Sequence, residues 1–513
     1  MQWIFGANGF RFPKIGRRLL FHGSSGLALG IILGLTLFTI IGLPRLLEPG
    51  GLGSNQTLLR FSSYEELRDF LNQTGSTGNW YYDASSKGFV VALAESSSAQ
   101  FSRTNIQVEG VDEADIVKSD GEYIYLVSGN TLIMVRAYPP EDAEVLSKIT
   151  FNGTVTGVFV NGDRLVVFQE DYGYWIEPRE GESEKAIIYP GFGEVKVHVR
   201  IFNIEDRENP VLAREITVNG GYFTSRMIGN YVYVIVNQPA TVIEGVVPLP
   251  VIEDGDHAEK VEASDVYYAN VSDYFYAFTT VLSVDIMSDE APKYEVFLVG
   301  ATSAVYVSRE NIYVTIPKMP VFNEESQQME TTEIHRIRIT DGEIKYETSG
   351  VVPGFVLNQF SMDEYDGHFR IATTTHTWQN GEEPASRNNL YVLGMDLNIT
   401  GKIEDIAPGE TIYSARFMGE RGYLVTFKKV DPFFVIDLSD AANPEILGRL
   451  KITGYSSYLH PYDENRIIGI GKETVEAEEG DFAWYQGVKI SFFDVSDVEN
   501  PIEIDKYEIG NRG

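Results

Sequence analysis

Three stretches of this chain are copies of one pattern: VRIFNIEDRENPVLAREI (Val199–Ile216), FFVIDLSDAANPEILGRL (Phe433–Leu450) and ISFFDVSDVENPIEIDKY (Ile490–Tyr507). Each reads as a strand, an acidic turn ending in Asn-Pro, and a second strand. Runs of β-branched and aromatic residues favour the pleated conformation, and turn residues interrupt them. Pro210, Pro444 and Pro501 have no N–H to continue a ladder, while the preceding Asp and Asn side chains can hydrogen-bond the turn backbone. The last two prolines lie 57 residues apart (501 − 444), a spacing that suits one four-stranded repeat with a loop insertion.

Weaker copies bring the hairpins to seven, among them VLSVDIMSDEAPKYEVFL and LIMVRAYPPEDAEVLSKI. A second unit follows six of them, such as SRMIGNYVYVIV and ARFMGERGYLVTF, in which a Gly-containing turn precedes an apolar strand. The C-terminal hairpin lacks this partner, and the opening stretch ADIVKSDGEYIYLVS has its pattern. The repeats therefore predict an all-β fold, a seven-bladed β-propeller in which the N-terminal half-blade pairs with the C-terminal hairpin near Val488. An eight-bladed ring is the alternative count.

The stretch leading into that half-blade, TNIQVEGVDEADIVKSDG, concentrates Glu109, Asp112, Glu113, Asp115 and Asp120. Ala114 and Ile116 stand where a calcium loop of the D-x-[DN]-x-[DN]-G kind needs oxygens. A solvated acidic loop ahead of a closure strand is the expectation. Upstream, RFSSYEELRDFLNQTG has capping-box spacing from Ser62 and Ser63 to Glu65 and Glu66, and predicts a short helix with Phe61, Leu67, Phe70 and Leu71 as its apolar stripe.

With 41 basic against 74 acidic residues, the net charge of −33 repels phosphate backbones and argues against nucleic-acid binding. The absence of cysteine removes disulfides, thiol nucleophiles and thiolate metal sites. From Phe21 to Leu43 the only ionisable residue is His22, and Arg11, Lys14, Arg17 and Arg18 precede the run. That length spans a bilayer, and positive charge stays inside. The expected layout is a cytoplasmic tail (1–20), a membrane-spanning signal anchor (21–43), a linker with the short helix (44–110) and an extracellular propeller (111–513). An uncleaved anchor is favoured over a cleaved signal peptide, because IGLPRLLEPGG offers no small-x-small cleavage site. The sequons at Asn55, Asn72, Asn152, Asn270 and Asn398 all fall on the outer side.

TNIQVEGVDEADIVKSDGEYIY, with FSSYEELRDFL upstream, closely resembles the archaeal and bacterial secreted proteins that carry a C-terminal β-propeller distantly related to WD repeats. The FFVIDLSDAANPEILG units are similar, more loosely, to LVIVD-type surface repeats. The resemblance implies fold and location and transfers no catalytic residue.

By analogy with WD-like blades, the Asn-Pro hairpins are outermost, and the long insertions follow the second strand of each blade on one rim. Such loops are where a rigid scaffold keeps binding residues. They carry Tyr174, Trp175, Trp378, Trp484 and Tyr485, whose faces could stack on sugars or peptide side chains, or pack the loops down. In EDGDHAEKVE, Asp254, Asp256 and His257 are the candidate ligands of a divalent cation such as Ca²⁺, against the plainer reading of an exposed acidic loop. No other cofactor is expected. Neither G-x-S-x-G, H-E-x-x-H nor a phosphate-loop pattern occurs. The function expected is a surface-anchored binding or scaffold module for glycan, peptide or protein ligands. The alternative is a secreted glycosidase-like hydrolase with a carboxylate pair.

Overall fold

The computed structural model describes residues 58–74, 106–172, 175–177, 187–189, 195–243, 245–269, 275–319, 330–377, 385–428, 431–476 and 483–511. The strands fall into seven sheets of four or more strands and one separate two-stranded hairpin. Sheet 1 takes Val117–Ser119, Tyr123–Ser128, Thr131–Arg136 and Glu144–Thr150. The four strands at the heart of sheet 2 lie within 154–219, of sheet 3 within 221–299, of sheet 4 within 304–353, and of sheet 5 within 362–406. Sheet 6 comprises Thr411–Met418, Arg421–Phe427, Asp431–Asp437 and Glu445–Ile452. Sheet 7 comprises Tyr455–Asp463, Arg466–Glu476, Ala483–Asp494 and Ile502–Ile509. Within each sheet these strands run antiparallel in chain order, so every pairing is a local hairpin of low closure cost.

That local order corrects the expected closure. Tyr123–Ser128 pairs with Thr131–Arg136, not with the strand through Val488, which is flanked by Arg466–Glu476 and Ile502–Ile509. Seven units of each kind are present, but each second unit shares a sheet with the hairpin that follows it. The overlooked signal is the two-residue Gly129-Asn130 turn, with Gly129 at φ 63°, which joins the two strands directly.

Packing between sheets is equally sequential. One apolar cluster joins sheets 1 and 2 through Tyr125, Leu132, Val158 and Phe202, and another joins sheets 6 and 7 through Val425, Phe433, Leu459 and Phe493. Four more join the sheet pairs between them. Side chains on both faces of the middle sheets are buried, as Val232–Val236 and Ile312–Ile316 show.

The predicted helix spans Tyr64–Thr74. Ser63 Oγ accepts from the Glu66 N–H at 3.2 Å, and Glu66 accepts from the Ser62 N–H at 2.7 Å, which is the capping box at one end of the predicted window. Phe61, Leu67 and Leu71 are buried against sheet 3, where Phe61 stacks on Tyr268 with centroids 3.9 Å apart. The expected membrane span lies outside the described residues. Among those described, no helix is long and apolar enough to cross a bilayer.

Candidate functional site

The acidic opening stretch is a strap across several sheets, and Glu109, Asp115 and Asp120 in it are exposed as expected. Gln107 Nε2 donates to the carbonyls of Gln359 and Met362 at the start of sheet 5, both at 3.0 Å. Arg309, in the first turn of sheet 4, donates to the Glu109 carbonyl at 2.8 Å. Asp112–Glu113 then pairs with the first strand of sheet 3, Asp115 exchanges backbone bonds with Val158 of sheet 2, and Val117 opens sheet 1. One short segment thus touches five consecutive sheets.

Four of the five acids have work in that path. Asp112 lies 2.8 Å from the buried Lys118 ammonium. The Glu113 carboxylate accepts from Gln359 at 3.1 Å and lies 3.9 Å from Arg226. Asp115 accepts the Ile116 N–H at 2.7 Å, and Asp120 accepts the Tyr123 N–H and Tyr125 hydroxyl at 2.8 and 2.9 Å. Asp115 and Asp120 remain exposed, and Glu109 is the most open of the five, with a side chain 95% exposed and the Arg309 guanidinium 3.8 Å away.

Around the strap the first strands assemble a buried polar cluster. Arg226 donates to Gln359 at 2.8 Å, and Arg370 clasps Asp363 while donating to the Gly419 carbonyl at 2.6 Å. Arg416 lies over the Phe360 ring, 5.3 Å from its centroid, and Phe360 meets Tyr458 edge-on at 5.3 Å. Burial draws the Arg416 guanidinium below its ordinary value, against the pull of Tyr458, Glu113 and Asp363. Burial also pushes Asp363 up, opposed by Arg370 and Arg416, and lowers His460 with help from the Arg416 charge.

Sequence reasoning passed over this cluster, although a signal existed. Arg226 in SRMIGNY and Arg416 in ARFMGER hold the same place in two repeat copies, opposite Tyr233 and Tyr423. Asp363 holds that place in sheet 5 and Phe159 in sheet 2, and a charge at an inward repeat position is harder to bury than an apolar residue, which marks it for attention.

Of the rim residues, Trp484 and Tyr485 are described in full. The insertions do follow the second strand of their sheets, and these two rings open the third strand of sheet 7 at 43% and 46% exposure. Tyr485 packs edge-on against Tyr455 at 5.6 Å, Tyr455 against Tyr413 at 4.6 Å and Phe427 at 5.0 Å, and Lys472 reaches the Tyr485 face. Four rings from sheets 6 and 7 therefore form one platform, buried at Phe427 and open at Tyr485. Trp175 lies in the separate hairpin, its backbone opposite Tyr189. Tyr174, Trp378, Asn55 and Asn270 lie outside the described residues. Tyr267 and Tyr268, by contrast, pack their insertion down: each stacks on a neighbouring Phe, Phe297 and Phe61.

Asp254 is held in the fork of Arg214 at 2.7 and 3.1 Å, while Asp256 and His257 form the exposed tip of a hairpin. Among the described residues no three His, Asp or Glu side chains converge as a metal site would need. Asn72, Asn152 and Asn398 are exposed, and Asn398 Nδ2 donates to Asp396 at 2.6 Å.

Residues 101–513 match the family described as beta propeller domain. The chain belongs to that family. This propeller is 29% identical to an uncharacterised protein of Methanocaldococcus jannaschii, with 89% of this chain and 79% of the other aligned. It is 28% identical to one from Archaeoglobus fulgidus, covering 88% and 81%. Among solved structures it is similar to Hsv2 of Kluyveromyces lactis, at 8% identity and a TM-score of 0.33 over 77% of the propeller chain and 100% of the other. Hsv2 of a second Kluyveromyces species matches at 10% and 0.25, over 70% and 99%.

Proposed function

We propose that this β-propeller is an extracytoplasmic binding module, its seven sheets serving as blades around the strap, held at the cell surface by the apolar segment Phe21–Leu43. The ligand is a glycan, peptide or protein segment that seats on the rim of sheets 6 and 7. One observation supports the reading above the others: the platform of Tyr413, Phe427, Tyr455 and Tyr485 ends in the Tyr485 ring, which is nearly half exposed. Aromatic faces left open on a rigid base bind sugar rings and side chains at low ordering cost. The basic flank before Phe21 supports the orientation.

Glycan and peptide arrays probed with the ectodomain test the reading. Trp484→Ala and Tyr485→Ala should each weaken binding by roughly tenfold, the order of one stacked ring, with the melting temperature nearly unchanged. A large fall in melting temperature at unchanged affinity would show that the rings only pack. On intact cells, external protease should strip the same binding activity; activity resistant to protease would oppose the orientation.

A further inference from the structure

The apolar clusters run from sheet 1 to sheet 7 in order, and among the described residues none joins sheet 7 to sheet 1. The strands show the consequence. In sheet 1, Tyr125, Leu132 and Met134 are buried toward sheet 2, while Ile124, Ile133 and Val135 on the opposite face are half-buried and Val145 is exposed. In sheet 7, Ile467 and Phe493 are buried toward sheet 6, while Ile468, Ile490 and Phe492 are half-buried and Val488 and Tyr507 are exposed. A solvated sheet face alternates apolar-in with polar-out. Both of these outer faces are apolar instead.

The outermost turns give an independent sign. A Cβ on Gly401 of sheet 5 would meet the Ala441 carbonyl, in the turn of sheet 6, at 2.2 Å. A Cβ on Gly448 of sheet 6 would meet the Val498 carbonyl, in the turn of sheet 7, at 2.3 Å. In sheet 2 the equivalent residue, Arg214, donates to the Ser288 and Glu290 carbonyls in the turn of sheet 3. Each outer strand seats the next sheet's turn. The equivalent residue of sheet 7 is Asp505, four positions past Pro501, and its side chain accepts from the adjacent Lys506 N–H. At the other end, Tyr138 in the turn of sheet 1 is 59% exposed.

We infer that the outer faces of sheets 7 and 1 are the two walls of a seat for one further four-stranded β-sheet of the same repeat, apolar on both faces. One inserted sheet covers both walls and supplies a turn for Asp505. A second copy seated on one wall leaves the other bare, and a two-fold pair that covers both walls must form a stable dimer, which light scattering reads. A repeat here advances 44 residues (Thr411 to Tyr455), and the match leaves about a fifth of each archaeal relative uncovered, length enough for such a sheet. The inference stands apart from what binds at the rim.

The chain has no cysteine, so spin labels at Ile133→Cys and Ile490→Cys report the seat directly. Stacked sheets lie about 10 Å apart, so a one-sheet seat predicts about 20 Å between the labelled strands. About 10 Å, with the walls in contact, overturns the inference. Should that pair fail to fold, the exposed Val145→Cys and Val488→Cys pair carries the same measurement. Anilinonaphthalene sulfonate should bind this chain, lose most of that binding in Ile490→Glu, and not bind the intact M. jannaschii relative; equal dye binding by both proteins overturns the proposed occupant. Light scattering should give a monomer, and a dimer that dissociates in Ile490→Glu would assign the seat to a second copy.

Discussion

Asp440 shows how much structure one side chain can fix in this repeat. Its carboxylate accepts from the Ala442 N–H at 2.9 Å and from Asn443 Nδ2 at 2.8 Å, and its carbonyl accepts the Asn443 N–H at 3.1 Å. Asp206 and Asp497 repeat the arrangement with Asn209 and Asn500. The residue pattern made these turns legible, because Asp and Asn before Pro have few other uses in a chain of short strands. The Asn443 side chain, then the Ala442 amide, hold Asp440 below its ordinary carboxylate value, and Asp206 is lowered by the same means. A depressed folded pKa contributes stability above the unfolded value of about 3.9 that is lost as pH falls through the folded value. Asp440→Ala should therefore lower the urea midpoint at pH 7, with the gap to wild type narrowing below about pH 4. A gap that does not change with pH would mean that the turn depends on backbone shape alone. The cluster arginines were harder to read, because their shared place in two repeat copies becomes visible only once the copies are aligned on their turns.

At the scale of elements, strands and hairpins were legible and their pairing partners were not. β-Branched and aromatic runs mark the strands of the repeat, but whether Tyr123–Ser128 pairs forward or with the far end of the chain depends on the turn that joins it to Thr131. The insertions were legible as segments that follow the second strand of their sheets, yet the strand Val266–Tyr268, which adds to sheet 3 in parallel, is three residues long and has no periodic signature. The seating of turns on outer strands was invisible for a similar reason. It appears in sequence as Gly448 alone, and only the neighbouring sheet explains it. Gly448→Ala would place a methyl within 2.3 Å of the Val498 carbonyl, so the sheet 7 turn must move. A loss of about 1–3 kcal/mol is expected, the usual range for overpacking. Hydrogen exchange should localise the loosening to Asp497–Ile509. No change in stability would show that the turn shifts freely and seats nothing.

For the whole molecule, the strap sets how the sheets unfold together. The apolar clusters join only neighbouring sheets among the described residues, and an array held by such contacts alone can lose sheets one at a time. The strap reaches from sheet 5 to sheet 1, and its acids differ in role according to what they meet. Asp112 carries a carboxylate to the ammonium of Lys118, which is 4% exposed, whereas Glu109 points to solvent. Removing one partner of a hydrogen bond to a buried charge costs about 1.5–3 kcal/mol, while an exposed acid contributes little. Asp112→Asn should therefore lower stability by that amount and broaden the unfolding transition, as sheets 1 and 2 begin to melt apart from sheets 3–5. Glu109→Gln, three residues away in the same motif, should leave both the midpoint and the width unchanged. Calorimetry of the two variants beside wild type provides the measurement. Equal effects would mean that the charge density of the stretch matters and its contacts do not, and an unbroadened transition in Asp112→Asn would mean that the sheets cooperate through their apolar faces without the strap.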